Sequence, residues 1–365
     1  MAFTKKYRNG IIRFRNTTNL PMNKLNLFEE LNPSNLANII RAQSIVYLPL
    51  GTLEWHERHL PFGLDAIVSY KICKELCKRL GGCVIPPLYF GTDREHKIDS
   101  KIFHGMDARA ERILPGSIYF LKKNLFYNLL VSITKNVSQQ GFKKLVIVSA
   151  HSGTAQQEVL TQLVQHGTKT LQVFVFPGKR FAGGIDHAAK LETSLMLALR
   201  PNLVNVAGVT KPYEGLSGDD PKEASIKEGK RHFQNIVEKI EKCITLGISY
   251  LPDDCEKKNL PQGTIYIGHS SKKQSVGFLK LLPNQKLPEH NRPVEEQLKQ
   301  IKGQCVMELY DEEKLFDKRT LNEGDEMKIP AKQYHVHSNL SSNESLTYWK
   351  FDGNITAVIE SIRKM

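Results

Sequence analysis

Residues 45–65 read IVYLPLGTLEWHERHLPFGLD, six apolar residues running straight into a polar loop. An unbroken apolar run of this length suits a strand buried on both faces, as in a parallel sheet covered by helices. The loop that follows sets Glu54, His56, Glu57, His59 and Asp65 within twelve positions. Metal-competent side chains directly after a buried strand place candidate chemistry at the carboxyl edge of a sheet, where α/β proteins hold their ligands. The competing reading is a solvated loop that is merely polar.

Outward from this stretch the chain alternates. A short helix opens near Asn32-Pro33-Ser34 and leads to the strand Ile45–Leu50. From Asp65 the apolar residues recur at spacings of three and four, which predicts a helix. Cys83–Leu88, Lys144–Ala150 and Gln172–Phe176 read as further strands. Asn124–Gln140 and the segments from about Gln156, Glu192 and Ala224 read as helices. Such alternation predicts a parallel sheet with helices on both faces. After residue 263 the texture changes to short β-rich pieces with turn signals about every ten residues, the pattern of a small sandwich or barrel. The expected domains are 1–252 and 263–365, joined where Pro, Asp and Lys cluster at 251–262.

Composition narrows the function classes. Hydrophobic residues at 40% and charged residues at 24% of 365 describe a globular chain. No stretch reaches the roughly 18 consecutive apolar residues of a membrane span. MAFTKKYRNGIIRFRN has charge but no apolar core, so a secretory signal is not expected. The net charge of +13 comes from dispersed lysine pairs rather than a stripe, which argues against nucleic acid as a partner. Six cysteines without framework spacing fit reduced thiols and a cytoplasmic setting.

Zn²⁺, Mn²⁺ or Fe²⁺ would take the imidazole nitrogens and carboxylate oxygens of the opening loop. Glu54 and His56, two apart, point to one side of an extended backbone. Asp65 can fold back from the start of its helix. A second strand end delivers His151, and a third segment delivers His187 and Glu192. Glu192, Leu195, Met196 and Leu199 share helical spacing, so Glu192 sits on or beside a buried face. An unpaired carboxylate there costs several kcal/mol, which a metal removes. Thr193 and Ser194 are expected to cap the helix that follows.

Gly51-Thr-Leu-Glu-Trp-His-Glu-Arg-His-Leu-Pro-Phe-Gly-Leu-Asp65 resembles the signature G-S-x-E-Q-H-G-x-H-L-P-x-x-x-D of the creatininase (creatinine amidohydrolase) family. Further motifs follow in the family's order. They are Tyr89-Phe-Gly with Glu95-His96, Pro115-Gly116-Ser117-Ile118, Val148-Ser-Ala-His151-Ser-Gly-Thr, His187-Ala-Ala-Lys-Leu-Glu-Thr-Ser194, and Gly215-Leu-Ser-Gly-Asp-Asp-Pro-Lys-Glu-Ala-Ser225. The resemblance spans about residues 26–250. It implies a three-layer αβα fold, a two-metal centre, a small-molecule substrate and a ring-shaped homo-oligomer, often a hexamer. It also implies Glu54 and His151 on one metal, His56 on the other, Asp65 as bridge and His187 as proton donor. Creatininase has a Glu where this chain has Gly153, so the missing carboxylate is assigned to Glu192, as in branches with a His-Gly-Gly motif. Trp55, Glu57, Arg58 and Lys190 depart from the family pattern, and about sixteen extra residues, Ile98–Ile113, could rebuild the pocket wall.

The C-terminal part resembles a cupin barrel. Asn284-x5-His290-x-Arg292-x3-Glu296-x6-Gly303 and Gly324-x5-Pro330-x-Lys332-x2-His335-x3-Asn339 keep the spacing of the two cupin motifs. Arg292 stands where a metal-ligating His belongs and cannot ligate. His290, Glu296 and His335 remain for a three-ligand metal site; the alternatives are an anion held against Arg292, or a packing role. His337 reads as surface. The whole therefore reads as a dinuclear metal amidohydrolase that cleaves the C–N bond of an amide, cyclic amide or formamide. The alternative is a non-catalytic ligand-binding protein whose β domain senses a small anion.

Overall fold

The computed structural model describes residues 25–178, 186–311 and 314–364. The N-terminal stretch read for a secretory signal lies outside the described residues. The chain divides into two compact units, Met1–Glu241 and Lys242–Met365.

In chain order the first unit carries α1 (Pro33–Ala42), β1 (Ile45–Leu50), α2 (Leu64–Leu80), β2 (Cys83–Val84), β3 (Glu95–Ile98) and β4 (Lys101–His104). Then come α3 (Gly105–Ala110), α4 (Lys123–Gln139), β5 (Lys144–Ser149), α5 (Thr154–Leu163), β6 (Gln172–Pro177) and α6 (Lys190–Leu199), and α7 (Ile226–Leu246) runs past the division. The main sheet has the order β2-β1-β5-β6, all parallel. Every residue of β1 is buried, as its apolar run requires. One face is covered by α1, α4 and α5, whose Ile39, Phe126, Leu130 and Leu160 join the strand residues Val46, Leu48 and Ile147 in one core. On α4 the buried Phe126, Leu130, Thr134 and Val137 recur at three and four, an amphipathic stripe. Phe126 is fully buried and contributes about 1.5–3 kcal/mol.

The sequence between β1 and α2 makes a tight strand–loop–helix junction. A Cβ at Gly51 would lie 2.1 Å from the Ala66 backbone nitrogen, so only glycine lets the loop pass this close to the helix start. That approach sets Asp65, in the first turn of α2, against the loop bearing Glu54 and His56.

The extra segment after β2 forms the antiparallel hairpin β3–β4 and the short helix α3. Alternation shows only weakly here: Glu95, His96 and Lys97 are exposed, and Phe103 is the buried member of the pair.

The second unit is mostly β. Its strands are β7 (Glu256–Leu260), β8 (Gly263–Ser270), β9 (Ser275–Leu281), β10 (Gln285–Lys286), β11 (Glu296–Lys302), β12 (Cys305–Asp311), β13 (Lys314–Leu321), β14 (Glu326–Ile329), β15 (Tyr334–Asn339) and β16 (Ser345–Phe351), followed by α8 (Thr356–Lys364). They form two antiparallel sheets, β14-β11-β16-β9-β8-β7 and β10-β15-β12-β13. One core takes Leu298 and Trp349 from the first sheet, Met307 and Leu309 from the second, and Ile359 and Ile362 from α8. Among the described residues no helix is long and apolar enough to cross a membrane, and the six cysteines are free.

Candidate metal centre

Glu54, His56, Asp65 and His151 are 2%, 0%, 1% and 4% exposed, at the carboxyl ends of β1 and β5 and the start of α2. His151 Nδ1 lies 2.8 Å from Glu54 Oε1 and 3.2 Å from Asp65 Oδ2. The other Asp65 oxygen, Oδ1, lies 3.5 Å from His56 Nε2, which in turn is 3.9 Å from Glu192 Oε2. Three overlapping donor groups result. Glu54–His56–His187 adds the third imidazole, and Glu54–Asp65–His151 and His56–Asp65–Glu192 share Asp65. Thr52 Oγ1 donates to Asp65 Oδ2 at 2.7 Å and fixes the carboxylate between them.

Glu192 reaches the site from the third position of α6. Its backbone nitrogen and that of Leu191 donate to the Asp186 carboxylate, which caps the helix. The expected capping by Thr193 and Ser194 is therefore corrected: both lie inside α6. Thr193 Oγ1 instead contacts His59 Nε2 at 2.9 Å, and Ser194 Oγ accepts from Ser225 N. Ala188 N donates to Glu192 Oε2 at 2.6 Å and aims the carboxylate.

His187 stacks on His56 with ring centroids 4.5 Å apart. Its Nε2 lies 2.9 Å from the Trp55 carbonyl, so the Nε2–H tautomer is assigned and Nδ1 is the acceptor.

The electrostatics are those of a pocket with concentrated negative charge. Burial opposes ionisation of each group. At His56 the hydrogen bond and charge of Asp65, with Glu192 and Glu54, overcome it and raise the imidazole to about 10. Burial opposes the charged form of Glu54 too, but His151 outweighs it and holds the carboxyl low. At Asp65 burial is likewise outweighed, by His151 and His56. At Glu192 burial prevails and raises the carboxyl to about 8. His187 is lowered to about 4, by burial first and by His56 next. Two buried carboxylates, a half-buried third and an orphaned His56 Nε2 make a donor set that divalent cations fit.

Among the described residues His59 and Glu57 join none of these donor groups. Glu57 has φ +57°, the left-handed conformation that explains the glycine of the family motif. Its carboxylate accepts from Glu214 N at 2.7 Å and ties the loop that carries Glu54 and His56 to that residue.

Asp93 is a neighbour the sequence reading did not single out. A Cβ at Gly153 would lie 2.3 Å from His151 Nε2 and 2.9 Å from Asp93 Oδ2, so a side chain where creatininase has its Glu would have to displace one of them. The hairpin segment closes the same side. A Cβ at Gly105 would lie 3.1 Å from Glu54 Oε2, and the His104 ring stacks on Phe120, which meets His151 edge-on. Arg109 donates to Ser217 Oγ, and Glu214 pairs with both Arg58 and Arg112.

In the β unit His335 and Glu296 are 0% and 4% exposed and His290 is half-buried. All three come together, with His337 as a fourth member. Reading His337 as surface is thus corrected, since it is 3% exposed. Residues two apart on β15 share a face, and both histidines of that strand turn inward.

A parallel sheet with helices on both faces and a buried carboxylate–imidazole centre at its carboxyl edge define a hydrolase of the metal-dependent α/β class. The family model for creatininase, described as creatinine amidohydrolase, matches residues 29–244. The chain belongs to the creatininase family. It is 24% identical over 193 residues to the creatinine amidohydrolase of Pseudomonas putida, covering 47% of this chain and 70% of that protein. It is 21% identical over 196 residues to the 3-dehydro-scyllo-inosose hydrolase of Thermotoga maritima, covering 49% and 57%. With the mycofactocin precursor peptide peptidase of Mycobacterium ulcerans it shares 23% over 241 residues, covering 57% and 88%. Among solved structures, a mutant creatininase of the Zn–Zn type aligns with a TM-score of 0.50 at 21% identity, covering 62% of this chain and all of the other. That likeness shows the fold.

Proposed function

We propose that the first unit is a dinuclear metal-dependent amidohydrolase acting on the C–N bond of a small amide, cyclic amide or formamide. The observation that carries this reading is the split Asp65 carboxylate, with one oxygen 3.5 Å from His56 and the other 3.2 Å from His151. Glu54 and His151 would hold one ion, His56 and Glu192 the other, with Asp65 shared. Divalent ions so held, Zn²⁺, Mn²⁺ or Fe²⁺, supply carbonyl polarisation and a water acidified toward neutral pH. His187 then moves the proton: Nδ1 accepts it from the attacking water and returns it to the departing nitrogen. The Trp55 carbonyl and the His56 ring hold the imidazole in place for both transfers.

Substrate choice falls to the wall that differs from the family pattern. Trp55 Nε1 and His104 Nδ1 are buried without partners and suit a polar substrate. Arg109, held on Ser217 beside His187, and Arg58 and Arg112, two cations on the one Glu214 carboxylate, favour an anionic one. The closed wall at Gly105 and Phe120 fits a substrate other than creatinine. The appended β unit is read as cupin-like, from its two antiparallel sheets and motif spacing. Self-association into a homo-oligomeric ring fits the exposed Ile113, Ile118 and Val206, and the free cysteines fit a cytoplasmic setting. The test is metal analysis of the purified chain with a turnover screen of cyclic amides, formamides and small peptides. Bound metal with turnover of one such class is the expected result; a metal-loaded protein inert to all of them would leave the amidohydrolase reading without support.

A further inference from the structure

The interior of the β unit holds a second cluster, built unlike the first. Glu296 stands at the start of β11 in one sheet, and His335 and His337 stand on β15 in the other. His290 is locked opposite His335 by paired backbone hydrogen bonds of 3.1 and 2.9 Å. One donor atom from each of these four side chains lies within 4.8 Å of all the others. Bonds of about 2.1 Å to one ion span donors up to about 4.2 Å apart, so a small closure suffices.

Three observations point to a bound ion. His335 Nε2 and Glu296 Oε2 face each other at 3.1 Å, yet neither atom has an aligned hydrogen-bond partner. His337 Nδ1 is likewise buried and unpartnered. The outer Nδ1 atoms of His290 and His335 lie 2.8 and 2.9 Å from the carbonyls of Pro288 and Gln333. Each ring can therefore donate outward and keep its Nε2 lone pair for the interior, the orientation a metal ligand needs. Three imidazoles with one carboxylate suit a borderline divalent ion.

Arg292 lines the same cavity of about 40 Å³ as His290, Glu296 and His337. Its Nη1 donates to the Asn291 carbonyl, and no ion pair among the described residues engages it. At roughly 10–15 Å³ per water-sized group the cavity takes about three such groups. We infer that His290, Glu296, His335 and His337 bind one divalent transition-metal ion, with a small carboxylate anion bound between that ion and Arg292. His337 supplies the fourth ligand, which leaves the guanidinium free to match a carboxylate.

The test is Co²⁺ titration of the metal-depleted full chain, with formate as the anion probe. His337→Ala and Glu296→Gln should each bind one equivalent of Co²⁺ fewer than wild type. Arg292→Gln should bind as many equivalents as wild type, but with the formate-induced change in the Co²⁺ visible spectrum at least tenfold weaker in affinity. Equal stoichiometry in wild type and both ligand variants would overturn the metal site, and an unchanged formate response in Arg292→Gln would overturn the anion anchor. Should a ligand variant fail to fold, wild type decides through hydrogen exchange of Tyr334–Asn339. Saturating Co²⁺ should slow those amides at least tenfold, and no slowing overturns the proposal.

Discussion

In the α/β unit the histidines and carboxylates stand on loops and a helix start at the ends of parallel strands, drawn from positions as far apart as Glu54 and Glu192. In the β unit they stand on or beside antiparallel strands and face one another across two sheets. The first cluster is rich in carboxylates, the second in imidazoles. Burial opposes the charged form in both, and the neighbouring charges decide whether it prevails. His56 is raised to about 10 because carboxylates outweigh burial, whereas His290 is lowered to about 4 by burial, Arg292 and His335. The first site thus favours positive charge at His56 while lowering His187, and the second lowers His290 and His337.

The comparison breaks most visibly through Asp65. Asp65→Ala should lose both ions of the first unit, whereas His56→Ala should lose chiefly one, since only a carboxylate can bridge. Elemental analysis checks this, and equal single-ion loss in the two variants would remove the bridge. His187→Ala should keep its metal while kcat falls roughly 10²- to 10⁴-fold, the usual range for a lost acid–base group. Steady-state kinetics on the substrate found by screening decides it; an unchanged kcat would take His187 out of the mechanism.

A smaller effect separates the units by pH in the metal-free chain. His290 and His337 are depressed when folded, so the unfolded chain binds more protons. Their contribution to the β unit is complete above about pH 6.5 and fades as the pH falls, for His290 down to about 4. In the α/β unit His56 is raised to about 10 and Glu192 to about 8, so both favour the folded state as pH falls from 7 to 5 and offset His187, which is lowered to about 4. From pH 7 to pH 5, exchange protection factors should fall roughly tenfold for Tyr334–Asn339 and hold for Lys144–Ser149. A parallel fall in both strands would contradict the contrast. Smallest is the cap of α1, where Asn32 accepts from Asn35 N at 2.9 Å. Asn32→Ala should cost about 1 kcal/mol, read by denaturant unfolding of the first unit.

The two regions also differ in how far they are legible in sequence. Parallel strands buried on both faces leave continuous apolar runs, so β1, β5 and β6 stand out, and the loop after each shows its polar residues plainly. The donor set Glu54, His56, Asp65, His151 and Glu192 was named from such strand ends and one helical face. Asp93 was not, because it reaches the site through a close approach to Gly153 that no local pattern encodes. Nor was the hairpin β3–β4, whose side chains are mostly exposed and give alternation little to act on. In the β unit the turn signals about every ten residues made the run of short strands legible as a class. The strand β13 was hidden by Lys, Asp and Arg on an exposed edge. His337 was misread because β15 is buried along five consecutive residues, which removes the polar-out alternation that marks a half-exposed strand.

The most direct test of the central claim is anomalous diffraction from crystals of the metal-loaded chain. Two peaks about 3.5–4 Å apart in the first unit are expected, with the Asp65 carboxylate between them and the Glu192 carboxylate within about 2.2 Å of the ion beside His56. A single peak there, or Glu192 more than about 3 Å from both ions, would contradict the account.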